Sequence, residues 1–360
     1  MKQDALNISY EQELVKLALF SSMPISYNGL VMENTNRCNS RCAICYQAAG
    51  EHKDTARLDL ETAKRCIREA AEIETINNRF HLAGGEAFLY PEDCFAMFRE
   101  AKTAGFTNIT TTTNGFWAKS LDEALRICAE LSESGLTSIE LSWDHWHGEF
   151  ISADCINNCL IACKEYEIET NLRLLTTKSH NMEESLAKIS PEALQQAYSI
   201  TSGPVFATGR AAEVLDKSEF YHSRAGMNDS CHSILNLTVN AFGQVFPCCA
   251  GFEMCRNCAS GNIYEQPLSS IVSGMNADPM LRQIVFLGIS SFLPILQDQG
   301  CQIKEDDFFN TCQMCSSIFS NQEYLAIIRR HFAQKRQQAL ERAISCLEMK
   351  YQEQEGQDNA

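Results

Sequence analysis

Short apolar runs alternate with longer segments of helical period between residues 25 and 206. Such alternation is typical of repeated strand–helix units, in which parallel strands are joined by crossover helices. It constrains the fold more than any other feature of the chain. Six strands are predicted, at residues 29–32, 80–83, 108–112, 138–142, 171–176 and 204–207.

Local signals mark where the intervening helices begin and end. Asp59, Pro91 and Ser120 precede helical patterns in the manner of capping and first-turn residues. Gly105 and Gly135 stand where helices should stop, each followed within three residues by a new strand. We therefore expect an α/β fold, either a barrel or a doubly wound sheet.

The pattern changes after about Gly209 to short strands, turns and clustered cysteines, which predicts a second, smaller domain. A helix-like stretch follows at 322–350, and the polar tail at 351–360 is expected to be disordered. The predicted organisation is an N-terminal helical segment at 1–24, a strand–helix domain at 25–210, a cysteine-rich domain at 211–320, and a C-terminal helix and tail at 321–360.

Charge and hydropathy exclude some classes of protein. The formal net charge of −16 leaves no excess of Lys and Arg to neutralise phosphates, which argues against sequence-independent nucleic-acid binding. No run of about 18 apolar residues is present, and the first ten residues lack the layout of a secretory signal. We expect a cytoplasmic protein with small-molecule, peptide or protein partners, and neither a nucleic acid nor a membrane among them.

Eighteen cysteines are far more than a cytoplasmic chain of this size usually has. Disulfides are disfavoured in a reducing compartment, so many of these thiols are expected to serve metal or redox chemistry. Others stand in helix-like stretches, where a buried cysteine acts as a small hydrophobe. These are Cys66, Cys94, Cys128, Cys155, Cys159, Cys163 and Cys346.

Cys38, Cys42 and Cys45 form a CxxxCxxC group directly after the first predicted strand. Three thiolates can ligate only three irons of a cubane cluster, so the fourth iron is left open. A zinc site completed by His52 or His81 is the alternative, although zinc sites are usually built from pairs of CxxC.

CxxxCxxC followed by an aromatic residue, here Tyr46, resembles the signature of radical S-adenosylmethionine (radical SAM) enzymes. The resemblance implies a four-iron four-sulfur cluster on these three cysteines, with the open iron chelated by the methionine moiety of S-adenosylmethionine. One-electron cleavage of that cosubstrate gives a 5′-deoxyadenosyl radical. It also implies a partial TIM-like (β/α)6 barrel over about residues 25–210.

Gly84, Gly85 and Glu86 follow the second predicted strand and are similar to the GGE motif of that family. The resemblance implies that glycine backbone and the carboxylate engage the methionyl amino group. Glycine suits the position because backbone must approach the ligand closely. The alternative is a bare tight turn.

Four further residues are similar to cosubstrate-binding positions of the family. Asn114 follows the third predicted strand, and Ser142 and Asp144 lie at the end of the fourth, where the family faces the ribose and methionine groups. Arg173 on the fifth strand can reach the methionyl carboxylate, because a guanidinium suits bidentate carboxylate recognition. Each of these residues also has a purely structural role as its alternative.

Cys231, Cys248, Cys312 and Cys315 form a second group, C-x16-C, a long gap, then CxxC. The spacing resembles the auxiliary-cluster domain called twitch, a shortened form of the SPASM domain, and implies one additional four-iron four-sulfur cluster. Zinc on the same four thiolates is the alternative.

Cys249, Cys255, Cys258 and Cys301 remain over. Together they can complete a second auxiliary cluster, and Cys255 with Cys258 can act as a redox dithiol. Cys249, Cys255 and Cys258 are also candidate hydrogen-atom donors and thus candidate catalytic residues. The last alternative is that none of them has a direct role.

The stretches at 113–117 and 142–150 resemble a subgroup that includes peptide epimerases acting on ribosomally made peptides. We therefore expect a peptide-modifying enzyme, by epimerisation or crosslinking. The alternatives are a small-molecule dehydrogenase whose auxiliary cluster accepts the substrate's electron, and a scaffold that has lost catalysis. His145 and His147 are either general bases or members of a packed loop.

The resemblance also implies partners. An external one-electron donor such as flavodoxin or ferredoxin is required. Only about 25 residues precede the first predicted strand, too few for a leader-peptide recognition domain. A peptide substrate is therefore expected to need a separate leader-binding protein or direct binding by the barrel.

Overall fold

The structure is a computed structural model, and it describes residues 23–50, 55–222, 231, 235–251, 253, 255 and 258–358. Nearly all of the predicted N-terminal segment at 1–24 lies outside these residues. His52, weighed above as a zinc ligand, lies outside them too.

A single sheet of nine described strands forms the centre of the protein, in the order β6-β5-β4-β3-β2-β1-β7-β8-β9. Strands β1 to β6 are parallel throughout, as the strand–helix alternation predicts. The expected α/β class with a partial, TIM-like barrel arrangement is confirmed. The strands are β1 (Leu30–Glu33), β2 (Arg79–Ala83), β3 (Asn108–Thr113), β4 (Ser138–Ser142), β5 (Glu169–Thr176), β6 (Ser199–Pro204), β7 (Leu237–Val239), β8 (Gln244–Phe246) and β9 (Gly261–Asn262).

Helices cover one side of the sheet and continue into the C-terminal part of the chain. The α-helices are α1 (Leu60–Ala71), α2 (Pro91–Ala104), α3 (Leu121–Ser134), α4 (Ala153–Glu165), α5 (Met182–Leu186), α6 (Pro191–Leu194), α7 (Gly209–Val214), α8 (Leu268–Ala277), α9 (Pro279–Leu287), α10 (Leu293–Gln297), α11 (Thr311–Ser320) and α12 (Gln322–Asp358). Short 3₁₀ turns lie at Ala87–Leu89, His147–Glu149, Lys217–Glu219, Ile289–Phe292 and Glu305–Asp307.

The predicted helix boundaries agree with the structure because the capping chemistry is present. The Asp59 carboxylate accepts a hydrogen bond from Thr62 N at 2.9 Å, and Ser120 Oγ accepts one from Glu123 N at 3.2 Å. Helices α2 and α3 end at Gly105 and Gly135, whose φ angles of 100° and 96° lie in the left-handed region that favours glycine.

Two predictions about the ends of the elements were wrong. The sixth strand lies at Ser199–Pro204 rather than at 204–207. None of its six residues is buried, so it lacks the apolar run from which strands are predicted. The C-terminal helix continues to Asp358, so the tail expected to be disordered is helical over 351–358.

The sheet passes without a break from the barrel strands into the cysteine-rich region. Strand β7 pairs in parallel with β1, with Leu30 opposite Leu237 and Met32 opposite Val239. Strands β8 and β9 then add in antiparallel fashion. Because the two parts share one sheet, the structure does not separate them at a boundary. The predicted domain boundaries therefore stay predictions.

Three apolar clusters support the described part of the fold, and the smallest of them packs Cys42 and Ile44 of the cysteine loop against Trp146 and Phe220. The larger core lies between the strands and the flanking helices, where the Phe80 and Phe98 rings meet edge to face with centroids 6.5 Å apart. A second core joins helices α10, α11 and α12. Six of the seven cysteines expected to pack as hydrophobes are buried in the larger core, namely Cys66, Cys94, Cys128, Cys155, Cys159 and Cys163.

Candidate functional site

The loop after β1 brings the first three predicted cluster ligands together. Cys42 is buried, Cys38 and Cys45 are half-buried, and the thiols of Cys42 and Cys45 both act electrostatically on Cys38. Two backbone amides point at this group: Ser40 N donates to Cys38 Sγ at 3.4 Å and Ala49 N to Cys45 Sγ at 3.3 Å. Such amides stabilise a ligating thiolate.

Burial raises the pKa of the Cys38 thiol to about 12 and also raises that of Cys45. Without a cation, thiols in this setting stay protonated, so the donor set fits a bound metal centre that would hold them as thiolates. Within the described residues, no three or more His, Cys, Asp or Glu side chains meet the geometry of a single-ion site. A cubane cluster spreads its thiolates over separate irons, so its ligands need not converge on one ion.

Helix α7 clamps this loop from the other side, a contact that the sequence did not indicate. Arg210 donates to the carbonyl oxygen of Cys42 at 2.9 Å and to those of Ala48 and Ala49 at 3.0 and 2.5 Å. Gly209 has φ 53°, and a Cβ there would lie 1.9 Å from Tyr46 O. The Gly-Arg pair after the sixth strand was the available signal for such a close backbone approach.

Gly84 and Gly85 press against the same loop from β2. A Cβ on Gly84, whose φ is 154°, would lie 2.7 Å from Thr35 O, and one on Gly85 would lie 2.1 Å from Arg37 O. The backbone also pairs here, with Gly85 N donating to Thr35 O at 2.7 Å. Both glycines are thus required for the β2 turn to sit directly on the cysteine loop.

Glu86 ties the ends of β2 and β3 together. Its Oε1 accepts from Thr113 Oγ1 at 2.8 Å and from Phe88 N at 3.1 Å, and its Oε2 accepts from Asn114 N at 2.8 Å. Burial raises its pKa, while the amide of Asn114 and the hydroxyl of Thr113 oppose that rise. The carboxylate retains acceptor capacity on Oε2 for one further donor.

The side chain of Asn114 extends from the end of β3 to the cysteine loop. Its amide nitrogen donates to Asn39 Oδ1 at 2.9 Å and approaches Ser40 Oγ at 3.4 Å. Two predicted features, the cysteine loop and the third strand end, are therefore in direct contact.

Asp144 organises the turn after β4. Its Oδ1 accepts from Trp146 N at 3.1 Å and from the ring Nδ1 of His147 at 2.8 Å, and its Oδ2 accepts from Leu175 N at 3.3 Å. The Cys42 thiol also acts on the His147 ring. Burial disfavours the imidazolium, but the Asp144 carboxylate and the Cys42 thiol together raise the pKa of His147 well above its ordinary value.

His145, the other histidine of this turn, is packed against neighbouring aromatic rings. Its ring stacks on that of His180 with centroids 3.7 Å apart and an interplanar angle of 16°. Both rings also meet Trp146 edge to face. The packed-loop alternative therefore describes the surroundings of His145.

Ser142 and Arg173 are paired in register on β4 and β5, and both are half-buried. The guanidinium of Arg173 lies across Gly203 of β6, where a Cβ would approach Nη2 to 2.7 Å, and Nη1 is 3.5 Å from Thr201 Oγ1. The absence of a side chain at Gly203 gives this arginine its space.

The auxiliary cysteines also lie together. The thiols of Cys248, Cys312 and Cys231 all act electrostatically on Cys315, which sits in α11, and so does the thiol of Cys255. A Cβ on Gly251 would lie 3.0 Å from Cys315 Cβ, so the chain around Cys248 runs directly over the CxxC. Burial raises the pKa of Cys231 to about 11, and that of Cys315 well above its usual value.

The remaining cysteines fall into two settings. Cys255 and Cys258 are buried against α11, and their thiols donate to Ser316 O at 3.4 Å and Phe319 O at 3.9 Å. Cys249 instead lies among acidic groups: burial raises its pKa to about 12, with further contributions from Cys248, Glu253 and Glu33. Cys301 packs at the margin of the second core.

Among the described residues, no helix is both long and apolar enough to cross a membrane.

Comparison with known proteins gives this arrangement a context. The family model of the radical SAM superfamily matches residues 32–186. The GTP 3′,8-cyclase of Vibrio parahaemolyticus is 31% identical over 114 residues, which are 31% of this chain and 31% of that protein. The PqqA peptide cyclase of Methylobacterium sp. is 32% identical over 114 residues, 32% of this chain and 28% of that protein. The match thus spans about a third of each relative.

A solved structure, the histidine-tagged form of anSMEcpe with bound AdoMet, aligns with a TM-score of 0.51 at 15% identity and covers 85% of this chain and 95% of that one. Native anSMEcpe with bound AdoMet aligns with a TM-score of 0.50 at 13% identity, over 85% of this chain and 96% of that one. At this level of identity, the likeness concerns the fold alone.

Proposed function

Because this chain carries a radical SAM domain over residues 32–186, we propose that it is an enzyme that cleaves S-adenosylmethionine reductively and acts on a peptide substrate. The observation that carries the proposal is the grouping of Cys38, Cys42 and Cys45 in one loop, held between Gly85 and Arg210. Three thiols are supplied there, and the loop that bears them is fixed from both sides.

Each neighbouring residue has a role in this proposal. Cys38, Cys42 and Cys45 hold the cluster, and the backbone of Gly84 and Gly85 offers the methionine group a close approach. Glu86 accepts from its amino group through the acceptor capacity left on Oε2.

The other cosubstrate contacts come from strands β3 to β5. Asn114 and Ser142 would bind the ribose, and Arg173 would pair with the methionine carboxylate. Asp144 orders the turn that carries His147 through a hydrogen bond of 2.8 Å to its ring Nδ1.

With a four-iron four-sulfur cluster and S-adenosylmethionine bound, the chemistry supplied is one-electron cleavage of the sulfonium–carbon bond to methionine and a 5′-deoxyadenosyl radical, which takes a hydrogen atom from the substrate. The electron comes from an external donor of the flavodoxin or ferredoxin type. This chain's own residues position the reactants, and Cys42, Glu86 and Asp144 are held in place by burial.

Cys231, Cys248, Cys312 and Cys315 are proposed to hold one auxiliary cluster. Their mutual electrostatic contact supports this assignment. The burial of Cys255 and Cys258 against carbonyl groups of α11 favours a structural role for that pair. A peptide substrate is supported by the local similarity to a PqqA peptide cyclase.

The test is anaerobic reconstitution with iron and sulfide, followed by quantification of 5′-deoxyadenosine under reducing conditions. We expect the wild-type protein to form it and the Cys38→Ala, Cys42→Ala and Cys45→Ala variants to form none. Cys155→Ala, a helix cysteine of the larger core, is the control and should retain activity. Absence of product from the wild type, or undiminished product from the three variants, would overturn the proposal.

A further inference from the structure

A cavity of about 200 Å³ lies between the cysteine loop and the β7–β8 turn. Glu33 at the end of β1, Gln47 in the cysteine loop and Glu253 after β8 line it, together with the turn residues 240–242. Neither Glu33 nor Glu253 has a place in the radical SAM signature or in the auxiliary cysteine group.

The two carboxyl groups interact with each other directly and are also joined by one amide. Gln47 Nε2 donates to Glu33 Oε1 and approaches Glu253 Oε1 at 3.4 Å. The second oxygen of Glu253, Oε2, is buried and has no hydrogen-bond partner among the described residues. A buried carboxylate oxygen without a donor is costly, so this atom indicates a missing ligand group.

The charge of the cavity is one-sided. Among the described residues that line it, there is no lysine or arginine to balance the two acids. The carboxyl groups of Glu33 and Glu253 face each other, so their negative charges repel when both are ionised. A ligand that brings a positive charge would relieve this repulsion.

The cavity lies close to the cysteine loop and to Cys249, the chain neighbour of the auxiliary Cys248. The Cys45 thiol acts electrostatically on Glu33, and the carboxylates of Glu33 and Glu253 both act on Cys249. Tyr46, next to Cys45, is affected by the same two carboxylates. A group bound here lies beside both the CxxxCxxC loop and Cys249.

We propose that Glu33 and Glu253 form a binding site for a protonated amine of the substrate, with Gln47 fixing the orientation of both carboxyl groups. An ammonium group supplies up to three N–H donors and a positive charge, and it therefore satisfies Glu253 Oε2 and the charge together. A hydroxyl donor would leave the charge uncompensated. The inference rests on the proposed function in that the amine is taken to belong to the substrate.

The test compares two blocked tripeptides that differ only in the central side chain, acetyl-Gly-Lys-Gly-amide and acetyl-Gly-norleucyl-Gly-amide. Their affinities are measured by anaerobic calorimetry on the cluster-loaded protein with S-adenosylmethionine present. We expect the lysine peptide to bind about tenfold more tightly or better. Glu253→Gln and Glu33→Gln should reduce that preference to less than about twofold. Glu265→Gln, an exposed acid after β9, is the matched control and should keep it.

Equal binding of the two peptides, including no binding of either at about 10 mM, would overturn the inference. A preference that survives both Glu33→Gln and Glu253→Gln would overturn it as well. 5′-Deoxyadenosine is measured on the same preparations. A wild-type protein that forms it and binds the peptides equally overturns this inference alone, whereas one that forms none overturns the proposed function.

Discussion

The guanidinium of Arg210 donates a hydrogen bond of 2.9 Å to the carbonyl oxygen of Cys42, at a separation of 168 positions along the chain. The same side chain also binds the carbonyls of Ala48 and Ala49. One residue of α7 therefore satisfies three acceptors of the cysteine loop and fixes the loop against the sixth strand–helix unit.

Replacing Arg210 should release the cysteine loop. Each buried carbonyl left without a donor costs about 1–3 kcal/mol, so we expect Arg210→Gln to lower the iron content of reconstituted protein by half or more. Arg210→Lys should be intermediate, since a lysine keeps the charge but not the fork geometry. Iron analysis and the visible absorption spectrum measure the effect. Arg336→Gln on the exposed part of α12 is the control, and equal iron in all three variants would contradict the expectation.

Gly209→Ala and Gly274→Ala should change stability in opposite directions. At Gly209 a Cβ meets Tyr46 O at 1.9 Å and φ is 53°, so we expect a loss of about 2 kcal/mol or more. Gly274 lies in the exposed middle of α8 with nothing within 4 Å, so alanine there should stabilise by about 0.5–1 kcal/mol. Urea unfolding of both variants measures the difference, and the same sign for both would refute the account.

The two cysteine groups should be separable by iron analysis. We expect Cys315→Ala to lose the iron of the auxiliary site and to keep the formation of 5′-deoxyadenosine, because the thiols that act electrostatically on Cys315 are those of Cys248, Cys255, Cys312 and Cys231. Cys42→Ala should show the reverse, with auxiliary iron retained and 5′-deoxyadenosine lost. A Cys315→Ala protein with unchanged iron, or a wild-type protein that holds zinc in place of the auxiliary iron, would contradict the auxiliary cluster.

Among the candidate hydrogen donors, the surroundings favour Cys249. It lies beside Glu33 and Glu253, whereas the thiols of Cys255 and Cys258 donate hydrogen bonds to carbonyl groups of α11. For an epimerised peptide, turnover in deuterated water should place deuterium at the α-carbon in the wild type and in Cys255→Ala and Cys258→Ala. Cys249→Ala should lose this incorporation while 5′-deoxyadenosine still forms. Deuterium at the α-carbon in the Cys249→Ala product would eliminate this thiol as donor.

His81 should make stability depend on pH. It faces the concave side of the sheet between Thr110 and Thr112, and burial, with Arg79, lowers its pKa to about 3. Since the unfolded chain takes up a proton near pH 6.5, this contribution is complete above that pH and is lost as pH falls toward 3.

We therefore expect stability to fall by about 2 kcal/mol between pH 7 and pH 5 through His81. Urea midpoints at the two pH values test it, and His81→Gln should remove that part of the decrease. His222→Gln, at an exposed position, is the control. An identical pH response in all three proteins would show that His81 does not titrate as described.

Much of the fold could be predicted because it is encoded locally. Helix α3 begins at the Ser120 cap and ends at Gly135, and five of the six barrel strands fall within about two residues of their apolar runs. The sixth strand was predicted at the wrong residues for a physical reason. Its lumen side carries Thr201 and Gly203 and its outer side is exposed at Ile200, so no apolar periodicity marks it.

The candidate site shows the same division. The sequence spacing alone predicts Cys38, Cys42 and Cys45 as ligands, because binding one cluster requires cysteines a fixed, short number of residues apart. Glu253 carries no such mark, since its importance comes from meeting Glu33 across the sheet. Contacts of this kind arise from tertiary packing and have no local signature.

The parallel pairing of β1 with β7 has a consequence for shortened versions of the chain. Ending the protein near residue 210 would remove β7. The backbone amides and carbonyls of Leu30, Val31 and Met32 would then be unpaired along an apolar edge strand. In such a fragment, the exposed edge of β1 would pair with strands of other molecules, and the fragment would aggregate. The N-terminal part therefore cannot be expressed alone as a shortened enzyme. The cysteine-rich part covers the edge of β1 and so prevents the sheet from pairing with the sheet of a second molecule.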